Sequence, residues 1–174
     1  MKVFFNRVPR NEPYGGGNQF LVSLVKKLQD RGHEVVYHLQ ENLDLIFLMD
    51  PRPGDIGYGL QHIIEYKKHR PNVRITHRVN ECDKRKNTAF MDDLLLKAMD
   101  ISDDVIFISD WLCSYFKNIG FSKESYTIYN GCDSSTFYPM ERDFNASKIK
   151  LVTHHWSDNW MKGFDLYTAL DKHL

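Results

Sequence analysis

Three consecutive glycines follow the first predicted strand and have the properties of an anion-binding turn. Gly15, Gly16 and Gly17 precede Asn18 at the start of a predicted helix. A backbone without Cβ atoms approaches a ligand closely, and the free N–H groups at a helix start favour negative charge or hydroxyls. No Gly-Lys-Ser/Thr follows, and Phe20 stands where a dinucleotide fingerprint needs its third glycine. A simple tight turn is the alternative interpretation.

A second candidate segment runs from His77 to Lys86, after another apolar run of strand length. Arginine supplies forked donors, so a basic polar segment at the end of a strand suits an anionic or polyhydroxylated ligand. The candidates in this loop are Arg78, Asn80, Asp83, Arg85 and Lys86. Two structural alternatives stay open, because Glu81 and Asp83 could form internal salt bridges and His77 could be a core histidine.

Short apolar runs alternate along the chain with stretches of helical periodicity. Strands are predicted at 3–6, 34–39, 45–49, 73–79, 105–108 and 126–129, and helices at 18–31, 58–69, 88–101 and 111–119. Nearly continuous apolar strands in strict alternation with helices are typical of a parallel sheet covered on both faces. We therefore predict an α/β fold, a Rossmann-like doubly wound parallel sheet, with ligands at the carboxyl ends of its strands.

Size and composition narrow the functional classes. The 174 residues are 42% hydrophobic and 26% charged, which fits one globular domain and a remainder. A formal net charge of zero gives no reason to expect nucleic acid. Three cysteines without a close pair indicate no disulfide framework or zinc site, and His154 and His155 are adjacent, so they would point to opposite faces of a strand. We expect no metal and, without a recognisable signal peptide, a cytoplasmic location.

The composition changes after Asn130 and Gly131, where a polar stretch without apolar periodicity begins. We predict a Rossmann-like domain over 1–140, a linker over 141–147 and the start of a second domain over 148–174. A fragment of about 25 residues cannot bury a core by itself. We therefore expect the natural chain to continue beyond Leu174.

Further motifs follow the later strands in a consistent order. They are Ser109 with Trp111, then Asn130, Gly131 and Asp133 with Phe137 and Pro139 behind them, then Lys162 with Gly163. Together with the glycine segment, these motifs resemble the family-4-like glycosyltransferases of the GT-B fold, in which two Rossmann domains face each other across a cleft. In that family an Asn-Gly-x-Asp element, followed by Phe and Pro, ends the sixth strand. The resemblance implies that 1–140 is the acceptor-side domain and 148–174 the start of the donor-binding domain.

The resemblance also implies roles for single residues. His77 is similar to a histidine near the transferred sugar and is the candidate catalytic residue. The glycine segment would lie near the donor phosphates or the acceptor. The cleft and hinge would be lined by Ser109, Trp111, Asn130, Gly131 and Asp133. Lys162 is similar to the lysine that neutralises the diphosphate leaving group. Trp156 and Ser157 replace an arginine usual a few positions earlier, so diphosphate binding would depend on Lys162, Ser157 and Asn159.

The function implied by the resemblance is a hexosyltransferase that moves a sugar, with retention, from a nucleotide-sugar donor to a sugar or glycan acceptor, without a metal or other cofactor. A paired-glutamate segment of the family would lie beyond Leu174, so we expect this chain alone to be inactive. One alternative is a stand-alone carbohydrate- or nucleotide-binding domain. Another is an NAD-dependent oxidoreductase domain, because Glu41 follows the second predicted strand. No nucleic-acid partner is expected, whereas peripheral membrane contact and oligomeric state stay open.

Overall fold

A computed structural model describes residues 1–12, 14–141, 151–153 and 160–173 of the chain. The strands are β1 (Lys2–Phe5), β2 (Glu34–Val36), β3 (Leu45–Leu48), β4 (Arg74–Val79), β5 (Asp104–Phe107) and β6 (Tyr126–Thr127). The α-helices are α1 (Gly15–Asp30), α2 (Leu60–His69), α3 (Asp83–Lys86), α4 (Met91–Ile101), α5 (Asp110–Asn118) and α6 (Phe164–Asp171).

The six strands form one sheet in the order β2-β1-β3-β4-β5-β6, and every neighbouring pair is parallel. This confirms the predicted α/β class with alternating strands and helices. Because β2 lies on one side of β1 and all later strands lie on the other, the strand order reverses between β1 and β3. The carboxyl ends of these two strands are therefore the topological switch point, where open parallel sheets bind ligands.

One face of the sheet packs against α1. Val3 and Phe5 of β1 and Phe47 of β3 are in register on this face, and they form a cluster with Leu21 and Val25 of the helix. Burying each such side chain contributes about 1.5–3 kcal/mol relative to leaving it exposed. This apolar contact holds the start of α1 above the carboxyl ends of the central strands.

The opposite face packs against three helices. Ile75 of β4 clusters with Ile63 of α2, and Phe107 of β5 clusters with Leu95 of α4 and Leu112 of α5. Side chains alternate between the two faces along each strand. Consecutive residues of β4 therefore lie in different environments. The two predicted site residues His77 and Arg78 are on opposite faces of the sheet for this reason.

The glycine segment differs from its prediction as a loop. Gly15 to Gly17 form the first turn of α1, which therefore begins three residues earlier than Asn18. Gly15 has a φ of 66°, whereas Gly16 and Gly17 are outside the left-handed region. The first turn of a helix has N–H groups without intrahelical acceptors, so it presents backbone donors even though it is helical.

The chain forms two compact units, Met1–Asn130 and Gly131–Leu174. In the second unit a 3-10 turn over Trp160–Lys162 leads to α6, which begins after Gly163. The predicted linker, 141–147, lies outside the described residues apart from Glu141. The boundaries 1–140 and 148–174 therefore stay predictions. None of the helices in the described ranges is long and apolar enough to span a membrane.

Candidate functional site

The start of α1 has no side-chain cap among the described residues. Its first turn contains no acidic residue. The side chain of Asn18 does not cap the helix but bonds Arg10. It donates to the backbone oxygen of Arg10 and accepts from the backbone nitrogen of Arg10, both at 2.8 Å. This pair fixes the approach of the chain to the helix. A Cβ atom at Gly16 would meet nothing within 4 Å, so the turn is open at that position.

The end of β4 meets the start of α1. A Cβ atom added at Gly17 would lie 3.6 Å from Nδ2 of Asn80, an ordinary van der Waals contact. Arg85 of α3 donates from Nη1 to the backbone oxygen of Asn80 at 3.1 Å. The glycine segment and the polar segment after β4 are thus neighbours at the carboxyl edge of the sheet.

Arg78 places a buried positive charge behind this edge. Its side chain lies on the α1 face, is 3% exposed, and stacks with its guanidinium carbon 3.9 Å from the centre of the Phe20 ring. Nη2 donates to Oδ1 of Asn130 at 2.8 Å, and Nη1 has no hydrogen-bond partner in the described part of the chain. Burial lowers the pKa of Arg78 to about 10, so the group is still charged at neutral pH.

His77 lies on the other face of β4, and its side chain is completely buried. Nδ1 is 3.0 Å from the backbone oxygen of Leu48, which can only accept, so Nδ1 carries the proton. Nε2 is buried without a partner among the described residues. Burial lowers the pKa of His77 to about 4, outweighing the opposite effects of the Leu48 carbonyl and of Asp50. The ring is neutral at pH 7 and has the surroundings of a core histidine; its catalytic role stays a prediction.

The switch point itself is filled by a network that the sequence interpretation did not identify. Asp50 follows β3 and pairs with Arg7 at 3.2 Å and with Arg52 at 2.7 Å, and Arg52 also reaches Glu81 at 2.5 Å. Although burial alone would raise the pKa of Asp50, hydrogen bonds from Arg52 and the charge of Arg7 keep it lowered. The only sequence signal was the presence of charged residues directly after predicted strands. Glu81 thus forms an internal salt bridge, which was the structural alternative to ligand binding in the sequence analysis.

Buried Asn6 ties the ends of β1 and β3 together at the same point. Its Nδ2 donates to the backbone oxygens of Asp50 at 2.5 Å and of Tyr58 at 3.1 Å, and its Oδ1 accepts from the backbone nitrogen of Met49 at 2.9 Å. All of its hydrogen-bonding groups therefore serve the fold. The Asn6 side chain therefore offers no group to a ligand at the switch point.

Asp83 holds the start of α4 rather than facing a ligand. Its carboxylate accepts from the backbone nitrogens of Met91 and Asp92, both at 3.0 Å, and from the hydroxyl of Thr88. Burial alone would raise the pKa of Asp83, but these hydrogen bonds keep it lowered. The carboxylate of Asp92 in turn accepts from the backbone nitrogen of Asp83 at 2.8 Å. The remaining charged candidates of this segment, Arg85 and Lys86, form no ion pair with the residues described.

Ser109 and Trp111 shape the edge at the end of β5. Ser109 caps α5, because its Oγ accepts from the backbone nitrogen of Leu112 at 3.2 Å. Trp111 stacks on Tyr115 one turn later, with ring centres 5.6 Å apart, and remains 48% exposed. Lys84 of α3 lies with Nζ 6.0 Å from the centre of the indole ring. Trp111, Tyr115 and Lys84 form an aromatic and basic surface beside the polar segment.

The remaining candidates belong to different parts of the chain. Asn130 ends the first unit and bonds Arg78, whereas Gly131, Asp133 and Lys162 belong to the second unit. The carboxylate of Asp133 accepts a 2.9 Å hydrogen bond from the backbone nitrogen of Ser135. Ser157 and Asn159, like His154 and His155, lie outside the described residues. The proposed diphosphate group of Lys162, Ser157 and Asn159 therefore stays a prediction. No cluster of three or more metal-ligand side chains occurs in the part of the chain that is described.

Comparison with known proteins does not extend these observations. No model of a known protein family matches the chain, and a search of curated proteins finds no significant match. The Rossmann-like parallel sheet is thus the level at which the chain is classified. Any functional conclusion depends on the geometry of the carboxyl edge.

Proposed function

We propose that this chain is the acceptor-side domain of a GT-B glycosyltransferase and that the edge formed by α1 and β4 binds a phosphate group of a nucleotide sugar. The observation that carries the proposal is a concentration of unmatched donors and positive charge. The start of α1, which has no side-chain cap, meets Asn80, and the buried guanidinium of Arg78 lies behind it with no carboxylate partner in the described part of the chain. A helix start and a guanidinium both favour a phosphate.

The charge balance of this edge supports an anionic ligand. Its acidic residues are already engaged, since Glu81 pairs with Arg52 and Asp83 holds α4. A buried cation that has no carboxylate partner among the described residues is costly for a fold, and a bound anion would compensate its charge. In a sugar transfer, negative charge develops on the leaving phosphate, and a positively charged, preorganised site stabilises that charge.

The competing oxidoreductase function is less well supported by the geometry. It needs an acidic residue at the end of β2 to bind a ribose near the start of α1. Glu41 instead pairs with Arg70 at 3.0 Å. Arg70 ends α2 shortly before β4 begins, and thus lies at the edge of the sheet opposite to the glycine segment. The pairing of Glu41 with Arg70 thus argues against its use as a ribose ligand beside the start of α1.

The proposal is tested by calorimetric titration of the chain with UDP-glucose, GDP-mannose and NAD. We expect at least one nucleotide sugar to bind and NAD to bind more weakly. Gly16→Asp is the sharpest variant, because its position is open and a carboxylate there stabilises the helix start while repelling phosphate. It should weaken nucleotide-sugar binding about fivefold or more while leaving thermal stability equal or higher. Gly16→Asn is the matched uncharged control.

A second variant tests the buried charge. Arg78→Met keeps an apolar side chain against Phe20 and removes the guanidinium, and we expect it to weaken nucleotide-sugar binding at least about tenfold. Lys26→Met removes a cation of the same helix that is paired with Asp30, and it should leave the affinity unchanged. The proposal is wrong if no nucleotide sugar binds, if NAD binds at least as tightly, or if both Gly16→Asp and Arg78→Met bind as the parent does.

A further inference from the structure

The surface beside the proposed phosphate site presents a flat aromatic ring next to lysines that form no ion pair with the residues described. Trp111 is half exposed although one of its faces stacks on Tyr115, at an interplanar angle of 17°. The stacking and the Ser109 cap of α5 hold the indole in one orientation. Lys84 lies near the ring at 6.0 Å, which is the outer limit of a cation–π contact, and pairs with no carboxylate among the described residues.

We infer that Trp111 and Lys84 form an acceptor subsite that binds an acidic sugar, its ring stacked on the indole and its carboxylate paired with the ammonium. Sugar rings have apolar C–H faces that pack on aromatic rings, while the rim of the sugar needs polar partners. A neutral sugar would use only the indole. The adjacent cations of α3, of which Lys84 and Lys86 bond no acid in the described ranges, favour a sugar that carries negative charge.

The position of α3 connects this subsite to the phosphate site. Arg85 donates to the backbone oxygen of Asn80, which lies against Gly17, while its neighbour Lys84 reaches Trp111. One short helix therefore borders both surfaces. The assignment of this subsite to the acceptor rests on the proposed function. A transferase must hold its two substrates next to each other, and the two surfaces are adjacent.

Aromatic and basic residues also occur on surfaces that bind anionic membranes. Rings that enter a membrane project from the surface, together with other apolar side chains. Trp111 instead lies against Tyr115 with one face covered. Its surroundings are polar, because Tyr115 donates to the carboxylate of Asp92 and Tyr129 donates to that of Asp110. The geometry therefore favours a polyhydroxylated ligand over a membrane.

The inference is tested by calorimetric titration with a glucuronate-containing tetrasaccharide and a neutral glucose tetrasaccharide. We expect the acidic sugar to bind more tightly. Trp111→Ala should weaken its binding roughly fivefold to tenfold, and Trp111→Phe should weaken it less. Lys84→Gln should reduce the preference for the acidic sugar about threefold. Tyr126→Ala removes an exposed ring at the start of β6, and Lys26→Gln removes a cation elsewhere, so both are controls expected to bind as the parent does.

The same variants separate this inference from the proposed function. Trp111→Ala and Lys84→Gln should bind nucleotide sugar as the parent does. If the acidic tetrasaccharide binds and no nucleotide sugar does, the subsite stands and the transferase proposal fails. If neither tetrasaccharide binds, if the neutral one binds equally well, or if Trp111→Ala has no effect, the subsite is wrong. Binding only to vesicles of equal parts phosphatidylserine and phosphatidylcholine, lost in Trp111→Ala, would show a membrane surface instead.

Discussion

The buried ring of His77 predicts how the stability of this protein depends on pH. In the folded chain burial holds the pKa of His77 at about 4, whereas the ordinary value is 6.5. The His77 ring is therefore protonated below pH 6.5 in the unfolded chain but only below about pH 4 in the folded chain. The stability is complete above pH 6.5, and part of it is lost as the pH falls toward 4.

The size of this loss follows from the two pKa values. At 1.36 kcal/mol per pH unit, the difference between 6.5 and about 4 corresponds to about 3 kcal/mol. That is a large share of the free energy of unfolding of a typical domain, which is roughly 5–15 kcal/mol. Its physical origin is the cost of placing an imidazolium where Nε2 has no partner among the described residues and Nδ1 faces only the carbonyl of Leu48.

The perturbation that isolates the effect is His77→Gln, which keeps a donor for the Leu48 carbonyl but does not titrate. Urea unfolding of parent and variant is followed by circular dichroism between pH 7.5 and pH 4. Other titrating groups cancel in the difference, so the free energy of unfolding of the parent should fall by about 3 kcal/mol more than that of the variant. A constant difference across this range, or an NMR titration of the His77 ring with a midpoint near 6.5, would refute the reasoning.

Two further predictions concern the fold around the site. Gly59→Ala should destabilise the protein by about 1–3 kcal/mol, because the added Cβ would lie 2.9 Å from the backbone oxygen of Pro51, and thermal melting would measure the loss; an unchanged melting temperature would contradict this contact. The hydrogen bond to Asp92 raises the pKa of Tyr115 to about 12, so ultraviolet titration should show a tyrosine that ionises near pH 12 and is lost from the curve in Tyr115→Phe. A parent curve that lacks this ionisation would contradict the prediction.

Much of the fold could be predicted because it depends on local patterns. Apolar runs such as Val3 to Phe5 and Val105 to Phe107 are strand-length and lie between stretches of helical periodicity, which is typical of a parallel sheet. The prediction of the glycine segment as a loop directly before the first helix has a similarly local basis. The helical conformation of this segment could not be predicted from the sequence, because glycine has a low helix propensity. The contacts that favour the turn, such as that of Asn18 with Arg10, are made across a loop.

The candidate site was predicted only in part. Asn80 and the glycine segment are neighbours as expected, since the carboxyl ends of parallel strands share one edge. The pairing of Glu81 with Arg52 joins positions far apart in the sequence, and no periodicity signals such a pair. Asp83 carries the residue type of a ligand contact, yet its partners at Met91 and Asp92 make it a helix cap. Residue type alone does not separate these roles.

His77 and Arg78 show most directly what each level of structure decides. The sequence by itself determined that both lie near the carboxyl end of a strand and that, as neighbours, they point to opposite faces of the sheet. Only the tertiary structure decided which face receives α1. That packing leaves Arg78 beside the start of α1 and buries His77 among the helices of the other face. Alternation along a strand is a local property of the backbone, whereas the choice of face depends on contacts between distant segments.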